Sequence, residues 1–156
     1  MTKLDLGSGG RKIAGYLSVD NDPATCPHVL HNIEERFPFD DSTVDEVRAH
    51  HILEHIRTEK KTFVMYEIWR VLKPGGVASI EIPLFPHPQA VMDPTHISFW
   101  VRESFWYYEH GNRFRDAFDR RTSYPVPSFR VIWESRVDSD PEHVEWLLKL
   151  KLGAVK

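Results

Sequence analysis

Leu4-Asp5-Leu6-Gly7-Ser8-Gly9-Gly10 decides how the rest of this 156-residue chain is read. Leu4 and Leu6 flank a polar residue as in a short strand, and three glycines follow within four positions. Glycine at the end of a buried strand lets the backbone bend sharply and come close to a ligand. Two phosphate-binding patterns fail here. The dinucleotide fingerprint G-x-G-x-x-G needs glycine where Lys12 stands, and the phosphate loop needs a Gly-Lys-Ser/Thr that does not follow. What remains is an acidic residue two positions before the first glycine, Asp-x-Gly-x-Gly.

Outward from this loop, apolar and polar runs alternate as strand, helix, strand, the pattern of a parallel sheet with crossover connections. Tyr16–Asp20, Val29–Ile33 and Val44–Ala49 read as the second, third and fourth strands. A helix is expected from Thr58, a suitable N-cap followed by Glu59, because Met65, Ile68, Trp69 and Leu72 recur at i, i+3, i+4 and i+7. Lys73-Pro74-Gly75-Gly76 ends it and leads into a fifth strand, Val77–Ile82. A loop with four prolines between Pro83 and Pro94 follows, then a short helix over Val101–Tyr108 and a strand over Phe129–Val137. Pro141–Leu152 reads as a terminal helix with Val144, Leu147, Leu148 and Lys151 on one stripe. Eight of the 19 aromatic residues fall between Phe99 and Phe118, and they are expected to pack on the sheet.

The length fits one domain spanning residues 1–156. With 20 basic and 23 acidic side chains the net charge is -3, which gives no overall field to attract a polyanion, so nucleic acid is not implied. No apolar run approaches the roughly 20 residues of a spanning helix, so no membrane partner is expected. The one cysteine, Cys26, has no internal partner, and no signal-peptide pattern precedes the glycine loop, so a cytoplasmic location is expected.

Val19-Asp20 closes the second strand beside the glycine loop, where a carboxylate can accept both ribose hydroxyls of a nucleoside. Further on stand Phe37-Pro38-Phe39-Asp40-Asp41-Ser42-Thr43-Val44-Asp45, His51-Ile52-Leu53-Glu54-His55 and Arg70-Val71-Leu72-Lys73-Pro74-Gly75-Gly76. In that order and spacing the chain resembles the class I S-adenosylmethionine-dependent methyltransferases of the type 11 group over about residues 3 to 108. The resemblance implies an α/β fold: a doubly wound, mostly parallel Rossmann-like sheet with S-adenosyl-L-methionine across the carboxyl ends of the first four strands. Position by position, it implies that Gly7, Ser8 and Gly9 pass the methionine part, with Asp5 near its amino group. Asp20 would hold the ribose, Asn32 would accept from the adenine amino group, and Ile33 would cover the adenine face. His50, at the end of the fourth strand, joins the cofactor contacts. The sequence departs from the family in two ways. Only ten residues, Gly7 to Tyr16, separate the first two strands, so the usual first helix must shrink to about a turn, and no helices precede the first strand. The fold expected is thus a minimal one.

His51, Glu54 and His55 also match H-x-x-E-H, a zinc pattern in which two histidines share a helix face and the glutamate is the base. Because the motif follows a strand, and because the resembling family carries a similar segment, these are read as loop residues and no metal site is expected. Methyl transfer needs no covalent nucleophile, only acceptor and methyl held at attack distance, with a base if the acceptor is a hydroxyl or a protonated amine. His51, Asp93 and His96 are the candidates for that base. The function expected is methyl transfer to an acceptor that the sequence does not identify; a small molecule or a sugar is compatible. A non-catalytic module that binds S-adenosylmethionine is the first alternative, and a zinc hydrolase the second. A homo-oligomer is expected, because the missing helices leave the cofactor region short of cover.

Overall fold

Leu4, Asp5 and Leu6 are all at most 1% exposed, as befits a strand covered on both faces. They belong to β1 (Lys3–Leu6), and in the computed structural model, which describes residues 1–122, 125–138 and 145–156, this strand lies inside a seven-stranded sheet. The others are β2 (Leu17–Asp20), β3 (Val29–Leu30), β4 (Val44–His50), β5 (Leu72–Pro83), β6 (Phe129–Asp138) and β7 (Glu145–Ala154). Their spatial order is β3-β2-β1-β4-β5-β7-β6. The first five pair in parallel, while β7 runs antiparallel to both β5 and β6. The chain winds outward from β1 to β3, then returns to place β4 on the other flank of β1. At such a switch point the connections leave in opposite directions, and a crevice opens at the carboxyl edge.

The sequence places β1, β2, β4 and the start of β6 within a residue or two. Elsewhere local chemistry moves the boundaries. The third strand stops at Leu30 rather than Ile33, because the Asn32 side chain accepts the Glu34 N–H at 3.0 Å and turns the chain. Thr58 is not a helix cap. It starts a single 3₁₀ turn, Thr58–Lys60, and its hydroxyl reaches the Ile97 carbonyl at 3.5 Å. The helix proper, α1, is Lys61–Val71, with Val64, Met65 and Ile68 buried. The short helix expected over Val101–Tyr108 is a 3₁₀ segment, Arg102–Tyr108, and a second helix, α2 (Arg113–Asp119), follows it. Among the described residues no helix is long and apolar enough to cross a membrane.

The expected terminal helix is a strand. Residues 141–144 of that stretch lie outside the described residues, but Glu145–Ala154 is β7. The deciding period is two: Leu148, Leu150, Leu152 and Ala154 are buried, while Lys149 and Lys151 alternate with them toward solvent. β7 also supplies the hydrogen-bond partner that β5 lacks on that side. Just beyond it the Val155 carbonyl accepts the Trp69 indole N–H at 2.9 Å, tying the end of the sheet to α1. The aromatic-rich segment divides. Trp100, Phe105 and Tyr108 enter the core, whereas Trp106 and Tyr107 lie against Phe114 of α2, with ring centroids 5.6 and 5.7 Å away.

Two of the sequence motifs are explained by one buried pair. Arg70 and Glu67, each under 5% exposed, form a two-point contact on α1 at 2.8 and 2.7 Å. The remaining donors of Arg70 go to the carbonyls of Phe37 and Phe39 and to Asp41, while Glu67 also accepts the Phe37 N–H at 2.7 Å. The loop before β4 is thereby fixed to the helix after it. Similarly, Lys73 donates to Asp45 Oδ1 at 2.8 Å, and Asp45 Oδ2 accepts the Thr2 N–H.

Candidate active site

The crevice at the β1/β4 switch point is a cleft of about 540 Å³, within the usual range for a small-molecule site. The glycine loop forms one wall. Gly7 and Gly9 have φ of 62° and 54°, in the left-handed region that suits glycine. At Gly7 there is a second requirement, because an added Cβ would lie 2.5 Å from Ile52 Cγ1 and Cδ1. Asp20, at the end of β2, holds the loop in place: its Oδ2 accepts the Gly9 N–H at 2.8 Å and its Oδ1 the Asp22 N–H at 3.0 Å. A carboxylate has about four acceptor sites, so each oxygen keeps capacity for a ligand.

Of the residues expected to contact the cofactor, Gly7, Gly9, Asp20, Asn32 and Ile33 line this cleft; Asp5, Ser8 and His50 do not. Asp5 is in the sheet interior, paired to Arg48 at 2.5 Å. The Ser8 hydroxyl turns back to the Gly9 carbonyl. His50 contacts the Ser79 hydroxyl at 3.0 Å, and burial lowers its pKa to about 4, outweighing the pull of Glu81, so it stays neutral near pH 7. Asn32 lines the cleft, and its amide oxygen accepts the Glu34 N–H and keeps a second lone pair beside the NH₂ donors.

Of the three candidate bases only His51 borders the cleft. It carries a φ of 53°, uncommon for a residue with a side chain, and its N–H donates to the Glu81 carbonyl at 2.9 Å. The ring sits between two carboxylates, with Nδ1 3.4 Å from Glu54 and Nε2 3.3 Å from Glu81. The contact with Glu54 raises its pKa, against the opposing effect of burial. Asp93 instead orders its own loop, accepting the Thr95 N–H and hydroxyl at 2.8 and 2.6 Å. The zinc-hydrolase geometry is not formed: β4 ends at His50, and only a 3₁₀ turn, Leu53–His55, follows, so no helix face carries His51 and His55 together.

The sequence reading missed His31, Glu34 and Arg57. Glu34 clasps Arg57 through its backbone N–H and Nε at 2.7 and 2.6 Å, closing the end of the cleft beyond Ile33. His31 is adjacent to Asn32 and lines the same wall. Its position next to an expected contact was the only signal for it.

Residues 2–80 match a family described as methyltransferase domain. The chain belongs to that family. It is an S-adenosylmethionine-dependent methyltransferase domain, and its mostly parallel seven-stranded sheet is the fold of that group. None of the curated proteins matches it significantly. Among solved structures, the methyltransferase domain resembles the N-methyltransferase NodS from Bradyrhizobium japonicum WM9, with a TM-score of 0.66 at 11% identity over 99% of this chain and 86% of that one. The 1,6-didemethyltoxoflavin-N1-methyltransferase of Burkholderia thailandensis, solved with 1,6-didemethyltoxoflavin and S-adenosylhomocysteine, gives 0.63 at 13% identity over 99% and 71%. The [4+2]-cyclase SpnF gives 0.66 at 12% over 99% and 74%. These likenesses are of fold, and a fold shared with a cyclase does not fix the reaction.

Proposed function

We propose that this domain seats S-adenosylmethionine in the cleft at the switch point and methylates a small-molecule acceptor that approaches from the side of His51 and Ile97. The observation that carries the reading is the meeting of Gly7, Gly9 and Asp20 on one cleft wall. When bound, the cofactor supplies a methyl group activated on a sulfonium. The protein's part is to hold and orient. Gly7 and Gly9 leave room for the methionine portion, and Asp20 offers its spare acceptor sites to the ribose hydroxyls. Asn32 and Ile33 take the adenine, with the Asn32 NH₂ as donor to a ring nitrogen. His51, the one expected base at the cleft, is the group to receive a proton from the acceptor.

Two measurements test this reading. Calorimetric titration with S-adenosylhomocysteine should show one site per chain, and labelled S-adenosylmethionine mixed with a metabolite pool should yield labelled product. A folded protein that binds no S-adenosylhomocysteine would remove the reading. A binding module without turnover is the second reading, favoured by the first crossover, where Gly7–Tyr16 contains only turns and leaves Gly9 and Gly10 exposed. Binding without labelled product from any pool would favour it.

A further inference from the structure

After β4 the chain is held by the segment that follows Pro94. The Glu54 carbonyl accepts the N–H groups of Ile97 and Ser98, each at 3.0 Å. The Leu53 carbonyl accepts the Ser98 hydroxyl and the indole N–H of buried Trp100, at 2.9 and 3.2 Å. These bonds bring His96 against His55, with ring centroids 4.9 Å apart at 78°.

The two rings are anchored alike. His55 Nδ1 lies 3.1 Å from the Thr95 carbonyl oxygen, and His96 Nδ1 lies 3.3 Å from that of Ala90. A carbonyl only accepts, so each Nδ1 carries the ring proton and each neutral ring keeps its lone pair on Nε2. Metal-binding histidines are supported in this way, the N–H held by a backbone carbonyl and the other nitrogen left for the ion. Beside them stands Glu54, 2% exposed, and among the described residues neither of its carboxylate oxygens accepts a hydrogen bond; the His51 ring nitrogen Nδ1 lies 3.4 Å away. A carboxylate so buried and so little compensated is costly without a further positive charge. One ligand atom each from Glu54, His55 and His96 lies within 4.8 Å of the other two.

We propose that Glu54, His55 and His96 bind a divalent first-row transition metal ion, with zinc as the type. Two imidazoles and a carboxylate with open positions are a donor set that such ions take. Donors about 2.0–2.2 Å from an ion sit roughly 3.5 Å apart, so the three must close by about an ångström, which small side-chain rotations provide. Asp93, with Oδ2 3.9 Å from His96 Nε2, is at hand to hold a metal-bound water. The site is not the H-x-x-E-H arrangement: His51 is outside it, and His96 enters from a distant loop. Because His55 also lines the cleft, the ion would sit at the acceptor edge, where an acceptor oxygen can become its remaining ligand. That role rests on the proposed methyl transfer; binding of the ion does not.

The test uses the full chain stripped with chelator. Zinc titrated against a chromophoric competitor should bind at one equivalent per chain and raise the melting temperature, and cobalt in its place should give visible absorption bands. Glu54→Gln and His96→Asn should each weaken zinc binding roughly a hundredfold or more, with circular dichroism confirming that both remain folded. His51→Asn should weaken it less than His96→Asn. A folded wild type that binds no stoichiometric zinc overturns the proposal. So does loss of binding in His51→Asn with His96→Asn unaffected, which would assign the ion to the 51–55 segment alone. Titration of the same samples with S-adenosylhomocysteine reads the cofactor cleft separately, so failure at either site is distinguishable from failure at the other.

Discussion

Asp20 is bonded to the glycine loop it faces, its Oδ2 accepting the Gly9 N–H at 2.8 Å across the cleft wall. One carboxylate therefore shapes the loop and offers acceptors to a ligand. Asp20→Ala should raise the dissociation constant for S-adenosylhomocysteine by roughly ten- to a hundredfold, the effect of losing about 1.4–2.8 kcal/mol. It should also lower stability by about 1 kcal/mol through the lost loop bonds. Asp20→Asn, which keeps one acceptor oxygen, should fall between. Calorimetric titration with a thermal melt of each protein measures both effects, and equal binding by wild type and Asp20→Ala would remove Asp20 as the ribose ligand.

Gly7→Ala meets two obstacles of different origin. The left-handed φ costs an ordinary residue about 1–2 kcal/mol, and the added methyl collides with Ile52. We expect a loss of about 2–3 kcal/mol in urea unfolding. Adding Ile52→Ala should relieve the collision and leave the backbone term, so the double variant should lose less than the sum of the two single changes. Strict additivity would show that the two residues do not meet.

Arg70 and Glu67 should behave as one unit. Arg70→Met leaves the Glu67 carboxylate buried with only the Phe37 N–H and should cost about 3–5 kcal/mol by chemical denaturation, whereas Glu67→Gln leaves Arg70 still paired with Asp41 and should cost less. The Glu67→Leu/Arg70→Met double variant should lose well under the sum of its single changes. Neither substitution touches the cleft, so S-adenosylhomocysteine affinity in the folded fraction should hold within a few fold.

His50 gives the protein a defined acid sensitivity. Burial lowers its pKa from 6.5 to about 4 in the folded chain. Between those values the unfolded chain takes up a proton that the native state refuses. Stability should therefore fall as the pH drops from about 6.5 to about 4, by at most about 1.4 kcal/mol per pH unit from this group, and this contribution should level off below that. His50→Gln should flatten that part of the profile relative to wild type. Parallel profiles for the two proteins would show that the shift is absent.

The cleft was legible from sequence where its chemistry is local. Asp-x-Gly-x-Gly and Val-Asp are each a strand end and a turn, so Gly7, Gly9 and Asp20 follow from the residues themselves. Asp5 stands apart from the cleft lining for a reason no motif records: Arg48, on the neighbouring strand, pairs with its carboxylate. β7 was misread because Leu147 and Leu148 are adjacent and suit a helical stripe, while the alternation from Leu148 to Ala154 acquires meaning only once β5 offers an edge. His96 was named for another role, since its approach to His55 depends on carbonyls of Leu53 and Glu54 more than 40 residues away.

The position of β7 also bears on the order of folding. It lies between β5 and β6, both of which precede it in the chain, so β5 gains its second neighbour, and β6 its place in the sheet, only when β7 is in position. Until then β5, with Ile80 and Ile82 along it, has an unpaired edge of the kind that recruits other chains. The parallel strands β1 to β4, which carry the cleft, need no contact with β7 to pair with one another. A nascent or partly unfolded molecule can thus present a formed cofactor side and an adhesive opposite side at once, and β7 is the segment that ends that exposure.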